Sequence, residues 1–244
     1  MRSLERAIDV LEVLDASPQP LRISEIARRA GLHSATTQRI LQVLESRGRV
    51  ERDANGGYRA GLALLFGAHA YLASSPLVAA ARPVLQDLAS ATGLTSSLFA
   101  RTGFSRAVIA RIEGSTPMRY VLPTGERLPL TVGAGKVLAA HLSPEDLTEA
   151  LKVEADVKLA IGQRPTDDEF VAEMEQIRRD GFTYSQQQRA LGVASVAAPI
   201  FNRDGDCIAG IQVAGDIHDL TEDRVPKLAI EVRRAASAIA ERII

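Results

Sequence analysis

The chain has no tryptophan, a single cysteine and three methionines, and aromatic residues make up only 4% of its 244 positions. The lone cysteine, Cys207, excludes an internal disulfide and a zinc site built from cysteines alone. No apolar run reaches the roughly 18 residues that cross a bilayer. The opening MRSLERAIDVLEVL mixes charge into its apolar pattern and does not read as a signal peptide. A cytoplasmic protein without a membrane segment is expected. An excess of charge of either sign is missing too, with 29 basic against 30 acidic residues. Neither G-x-S-x-G nor H-E-x-x-H occurs. Gly133-Ala-Gly135-Lys136 has the look of a nucleotide loop, but Leu130 and Val137 stand where glycine and a hydroxyl residue are required. His69 has no partner at ligand spacing. The group Asp216, His218, Asp219, Glu222 and Asp223 reads as a charged loop before a helix. No cofactor, no metal and no catalytic residue is expected.

What the chain does have is a concentration of arginine. Leu21 to Gly61 contains eight arginines and no lysine, against only four acids. Nucleic-acid binding depends on where charge is placed more than on its sum. Arg2 to Ala16 reads as an amphipathic helix with Leu4, Ala7, Ile8, Leu11 and Leu14 on one face. Ser24 is placed to cap a short second helix that Gly31 ends, and Ser34 to cap a third, which Gly48 stops. Ile40, Leu41, Val43 and Leu44 are expected to pack inward. A turn this short forces the helices to cross steeply, as in a helix-turn-helix. The N-terminal residues of the later helix then face the major groove. Gln38 and Arg39 suit adenine and guanine edges. Asn55-Gly56-Gly57 marks the turn of a hairpin, the wing. The candidate DNA-facing set is Ser24, Ser34, Ala35, Thr36, Thr37, Gln38, Arg39, Arg47, Arg52 and Arg59.

Leu62 to Ala73 is apolar nearly all round and too short to span a membrane, so it is expected to be buried against another chain. The remainder reads as mixed α and β. A helix over 77–92 precedes strands at 94–101, 106–113 and 118–122, and a loop at 124–129. Helices open near Gly135, Ser143 and Thr166. Strands at 192–202 and 206–215 lead to a long final helix from Thr221. Such an order builds an antiparallel sheet flanked by helices, an α+β domain with room for a pocket. The expected division is residues 1–61 for the winged helix-turn-helix, 62–75 for a linker and dimerisation helix, and 76–244 for the sensor domain. Two other readings stay open: a second domain that only assembles oligomers, and an enzyme on the α+β domain.

The stretches RAIDVLEVL, ISEIARRAGLHSATTQRILQVLESRGRVER, YRAGLALLFGA, RLPLTVGAGKVLAAHL and IRRDGFTYSQQQRALGVASVAAPIFNRDGDCIAGIQVAGD resemble, in this order, the isocitrate-lyase-regulator (IclR) family of bacterial transcription factors. The resemblance implies a GAF-like effector domain and a regulator, by default a repressor of a catabolic operon. It implies homodimers, or pairs of dimers, on near-palindromic double-stranded operators. It also implies a small organic acid as effector, held by Val132, Gly133, Ala134, Ser185, Val193, Ser195, Gln212 and Ala214. Some members carry serine where this chain has Gln212 and Ala214, and an acid where Gln186 to Gln188 stand.

Overall fold

The computed structural model describes residues 2–116 and 122–243. The chain divides into two compact units, Met1–Ser74 and Ser75–Ile244.

The first unit packs helices α1 (Arg2–Asp15), α2 (Ile23–Arg29) and α3 (Ser34–Ser46) against a hairpin of β1 (Val50–Arg52) and β2 (Tyr58–Ala60). Its core is Val10, Leu14, Ile26, Leu41, Val50 and Tyr58. Leu4 and Ile8, on the apolar face of α1, are 67% and 47% exposed, whereas Val10 and Leu14 further along are buried. Four apolar residues from Ile40 to Leu44 wrap too far around a helix to share one face. Leu41 is buried, whereas Val43 is 61% exposed. Gly31 at φ +64° ends α2, and the Leu32 amide returns to the Ala27 carbonyl at 2.8 Å. The two serine caps are not formed. Arg22 and His33 hold the cap positions, and neither contributes a side-chain bond. The wing turn is closed by Asp53, whose Oδ1 accepts from the Asn55 and Gly57 amides at 2.9 and 2.7 Å. Helix α4 (Leu64–Ser74) ends the unit with no buried residue.

The second unit holds a six-stranded antiparallel sheet in the order β5-β4-β3-β8-β7-β6. The strands are β3 (Thr95–Thr102), β4 (Ser105–Ile112), β5 (Arg127–Pro129), β6 (Thr183–Gln186), β7 (Val193–Phe201) and β8 (Cys207–Asp216). Two of these depart from expectation. Residues 127–129 pair with β4 instead of looping free, and β6 extends the far edge. Both are short edge strands, whose pairing is set by neighbours more than by alternation. The strand expected at 118–122 falls almost wholly outside the described residues. Helices α5 (Pro76–Thr92) and α9 (Val225–Ala240) are in contact with one another and with the central strands. Ser96 Oγ on β3 donates to Leu85 of α5 at 2.8 Å.

A 3-10 turn over Gly133–Gly135, helix α6 (Lys136–Ala139) and helix α8 (Asp167–Asp180) pack with Phe99 of β3 and Ala197 of β7 through Leu130, Val137, Phe170 and Met174. Helix α7 (Pro144–Val153) starts at the Ser143 cap, which accepts from Asp146 at 3.0 Å. Thr166 and Glu169 form a reciprocal capping box on α8. Just past α7, Glu154 is 5% exposed. Its carboxylate accepts from the Leu130 and Thr131 amides at 2.7 and 2.9 Å, and from the Thr131 hydroxyl at 2.6 Å.

Removing Glu154 strands two buried amides. Glu154→Ala should lower unfolding stability by about 1–3 kcal/mol, read from chemical denaturation of the second unit's transition. An unchanged midpoint would show that the loop holds itself.

Candidate functional site

Two sites are built by this fold, one in each unit. In the first, α3 presents Ser34, Ala35, Gln38 and Arg39 to solvent, and Thr36 is half-buried. Ser24 is exposed in the first turn of α2. Thr37 departs from the expected set. It is fully buried and its Oγ1 donates to the His33 carbonyl at 3.2 Å, so it fixes the start of α3 and faces the core. Arg47 sits at the C-terminal cap of α3, about 20 Å along the axis from Ser34.

The wing arginines separate as well. Strand register pairs Arg52 with Tyr58 and Arg59 with Glu51. Neighbouring positions point to opposite faces, so Arg52 and Arg59 occupy different faces of the ribbon. Arg52 lies over the Tyr58 ring, 5.5 Å from its centre. Arg59 is bound to Glu51 at 3.2 Å. Arg22, absent from the expected set, joins Arg52. A methyl group on Gly56 would meet Arg52 Nη2 at 3.2 Å and Arg22 Nη1 at 3.4 Å. Two exposed guanidinium groups thus converge on the wing tip. Arg22 belongs there because Leu21 forms a bridge to Tyr58, with bonds of 2.9 and 2.8 Å. Arg28 and Arg29, by contrast, are engaged by Glu25 at 2.6 and 2.7 Å.

The second site is a small cavity of about 30 Å³ between the sheet and the 130–136 loop. Gly133, Ala134, Ser185, Val193, Ser195, Gln212 and Ala214 line it. Cross-strand register makes the floor: Ser185 opposes Ser195, and Ser195 opposes Ala214. Val132 turns the other way, into a neighbouring void beside Lys136 and Phe170. Four more lining residues were not expected: Arg106, Leu122, Gln188 and Arg189. Arg106 had a sequence signal, a charged residue at an inward position of the alternation Arg106-Ala-Val108. Gln188 Oε1 accepts from the Gly133 amide at 2.9 Å, which ties the loop to the strand edge. Next to it, Gln187 is the one described non-glycine residue with positive φ, at 50°. Backbone strain of this sort gathers where a site over-determines the chain.

Catalytic readings find little support. Lys136 is 1% exposed and its Nζ lies 2.5 Å from Glu173, so it is committed to an ion pair rather than offered to a phosphate. Burial pushes the Cys207 thiol up to about 11. No group of three metal-ligating side chains converges among the described residues, and no single described helix is long and apolar enough to cross a membrane.

A winged helix-turn-helix joined in one chain to an α+β unit with a cavity defines the class of two-domain DNA-binding transcriptional regulators. Comparison with known proteins gives the family. Residues 3–54 match the IclR helix-turn-helix domain, and residues 69–241 match the bacterial transcriptional regulator IclR C-terminal domain. The chain is similar to the HTH-type transcriptional regulator BhcR of Paracoccus denitrificans, at 32% identity over 97% of this chain and 85% of the relative. It is 28% identical to the transcriptional repressor IclR of Escherichia coli, over 98% and 89%. Among solved structures, an IclR transcriptional regulator from Silicibacter superposes with a TM-score of 0.86 at 26% identity, covering 99% of this chain and 96% of that one. An IclR homologue from Microbacterium hydrocarbonoxydans, complexed with 4-hydroxybenzoate, gives 0.72 at 23% identity, over 99% and 98%. The chain belongs to the IclR family. It is a DNA-binding transcriptional regulator and not an enzyme.

The Arg28 and Arg29 hydrogen bonds hold the Glu25 carboxyl down at about 2. A lowered carboxyl stabilises the fold above its unfolded value near 4.5, and that contribution is lost as pH falls through about 2. NMR titration should find the Glu25 midpoint near 2, rising toward the ordinary value in the double variant Arg28→Ala, Arg29→Ala. A midpoint near 4.5 in the unmodified protein would break this assignment.

Proposed function

We propose that this regulator represses a catabolic operon by binding a near-palindromic operator as a homodimer or dimer of dimers, in the cytoplasm. A small organic acid bound in the second unit's cavity controls it. Gln38 and Arg39 read base edges, with Ser34, Ala35 and Thr36 beside them. Arg22 and Arg52 hold phosphate at the wing tip, and Arg47 and Ser24 contribute at the margins. The observation that carries the reading is the pairing, in one chain, of an exposed α3 N-terminus with a cavity whose lining includes Arg106. Named relatives support the repressor sense, since curated relatives include the repressors IclR and AllR of Escherichia coli. The Microbacterium homologue crystallised with 4-hydroxybenzoate supports an acid as effector.

Dimerisation is supported by α4. Leu65, Phe66 and Tyr71 are 61%, 70% and 51% exposed, and an apolar surface of this kind is a contact surface. Two heads must span half-sites about one helical turn apart, or a multiple. Acid binding then shifts the spacing between the two heads and weakens the grip.

The operator can be recovered by selection from genomic fragments. On it, Arg39→Ala should cost about 1–3 kcal/mol and relax preference at one position. Arg22→Ala should weaken all sequences alike and reduce the salt slope by about 1. Unchanged specificity in the first variant, or an unchanged slope in the second, would remove that residue from the interface. Phe66→Glu should yield monomers by analytical ultracentrifugation; a stable dimer would place the contact elsewhere.

A further inference from the structure

Helices α5 and α9 of the second unit enclose a groove of about 320 Å³, lined from these two helices and from Arg242 just past the end of α9. The helices run antiparallel. Arg224, just before α9, donates from Nη2 to the carbonyl of Thr92, the last residue of α5, at 3.4 Å, and the two helices stay in contact from there. The groove floor is apolar, with Val84 and Leu88 from α5 and Ala235 and Ala238 from α9. Side chains at a helix contact set how closely two helices approach, and alanine lets a second helix come near.

Charge around this floor has an order. Glu231 stands toward the start of α9, and Arg242 about 16 Å further along the axis. Arg234 on α9 and Asp87 on α5 lie between these ends. Two acids and two arginines cancel, and none of the four has an ion pair among the described residues. Ile230, next to Glu231, is 64% exposed.

Such a set is complementary to itself. In a twofold contact, residue i meets j and j meets i. Let a second α9 lie antiparallel on the groove, with the axis between Ala235 and Ala238. Each Glu231 then comes level with the partner's Arg242, and each Arg234 comes near the level of the partner's Asp87. A parallel arrangement would set Glu231 against its own copy. Exposed ion pairs are individually weak, so one such contact does not hold two free chains together. Two chains already joined through α4 carry two of these grooves, and two contacts made at once gain from effective concentration.

We propose that the α5–α9 groove is where two α4-joined pairs meet, each groove receiving the α9 helix of a further copy of this chain. This rests on the α4 reading above and supplies the second surface that a dimer of dimers needs.

Sedimentation velocity on the full-length protein over a dilution series tests it. The unmodified protein should run as a four-chain species that dilutes into pairs. Glu231→Arg, or Arg242→Glu, sets like charges together at both ends of the contact and should raise the tetramer dissociation constant about tenfold or more. The double variant Glu231→Arg, Arg242→Glu brings opposite charges together again and should return the constant to within about threefold of the unmodified protein. A protein that stays a pair at every concentration, single variants that leave the constant unchanged, or a double variant no tighter than the single ones overturns the inference and leaves the α4 reading intact. A Phe66→Glu chain that remains a dimer, and that Glu231→Arg then splits, overturns the α4 reading and keeps the α5–α9 groove as the contact between copies.

Discussion

One buried carboxylate organises the second unit. Glu154 takes two consecutive amides and a hydroxyl from Leu130 and Thr131, a set of charge-assisted bonds in a site water does not reach. Five residues past Thr131, the Lys136–Glu173 pair pins the start of α6 to α8. Between the two anchors the chain must turn tightly. A side chain at Gly135 would stand 2.5 Å from the Pro129 carbonyl. Gly133 adopts φ +61° and gives its amide to Gln188. The loop is therefore held above the sheet at a fixed height, and the cavity is the space left underneath. Without the Glu154 anchor that gap would have no defined shape.

The DNA-binding unit divides its arginines by neighbour rather than by number. Arg28 and Arg29 are taken by Glu25, and Arg59 by Glu51. Arg49 donates to the Ala63 carbonyl at 3.2 Å. Arg2, Arg6, Arg22, Arg39, Arg47 and Arg52 are exposed, and no ion pair holds them among the described residues. The set of available cations is thus smaller than composition implies, and two of them, Arg22 and Arg52, meet at the wing tip.

Much of this was legible in the sequence where one residue dictates local geometry. Gly31, Gly93 and Gly181 end helices in the left-handed conformation, and the Thr166–Glu169 box starts one, since each depends only on a few adjacent residues. Ser24 and Ser34 show the limit of that logic. A capping residue one or two positions away changes nothing in the pattern, but the helix takes its start from how α2 and α3 pack. Thr37 failed for a similar reason, because a small polar residue at the front of a recognition helix reads as a contact until its neighbours bury it. The cavity followed the same division. Its floor, Ser185, Ser195, Gln212 and Ala214, was reached through the family resemblance, and of the strands that carry it only β7 and β8 were plain in the sequence. Its charged walls, Arg106 and Arg189, come from β4, between β5 and β3, and from an irregular loop, which only tertiary pairing brings together.

Helix α4 has a consequence beyond geometry. It buries no residue within its own chain, although its composition is that of a core helix. Any partner that covers it adds free energy to the folded state only, and folding becomes linked to association. Were that partner a second copy, as proposed above, the melting temperature would rise with concentration. A cell making little of the protein would then hold a softer molecule than one making much, and expression level would itself be an input to the regulator.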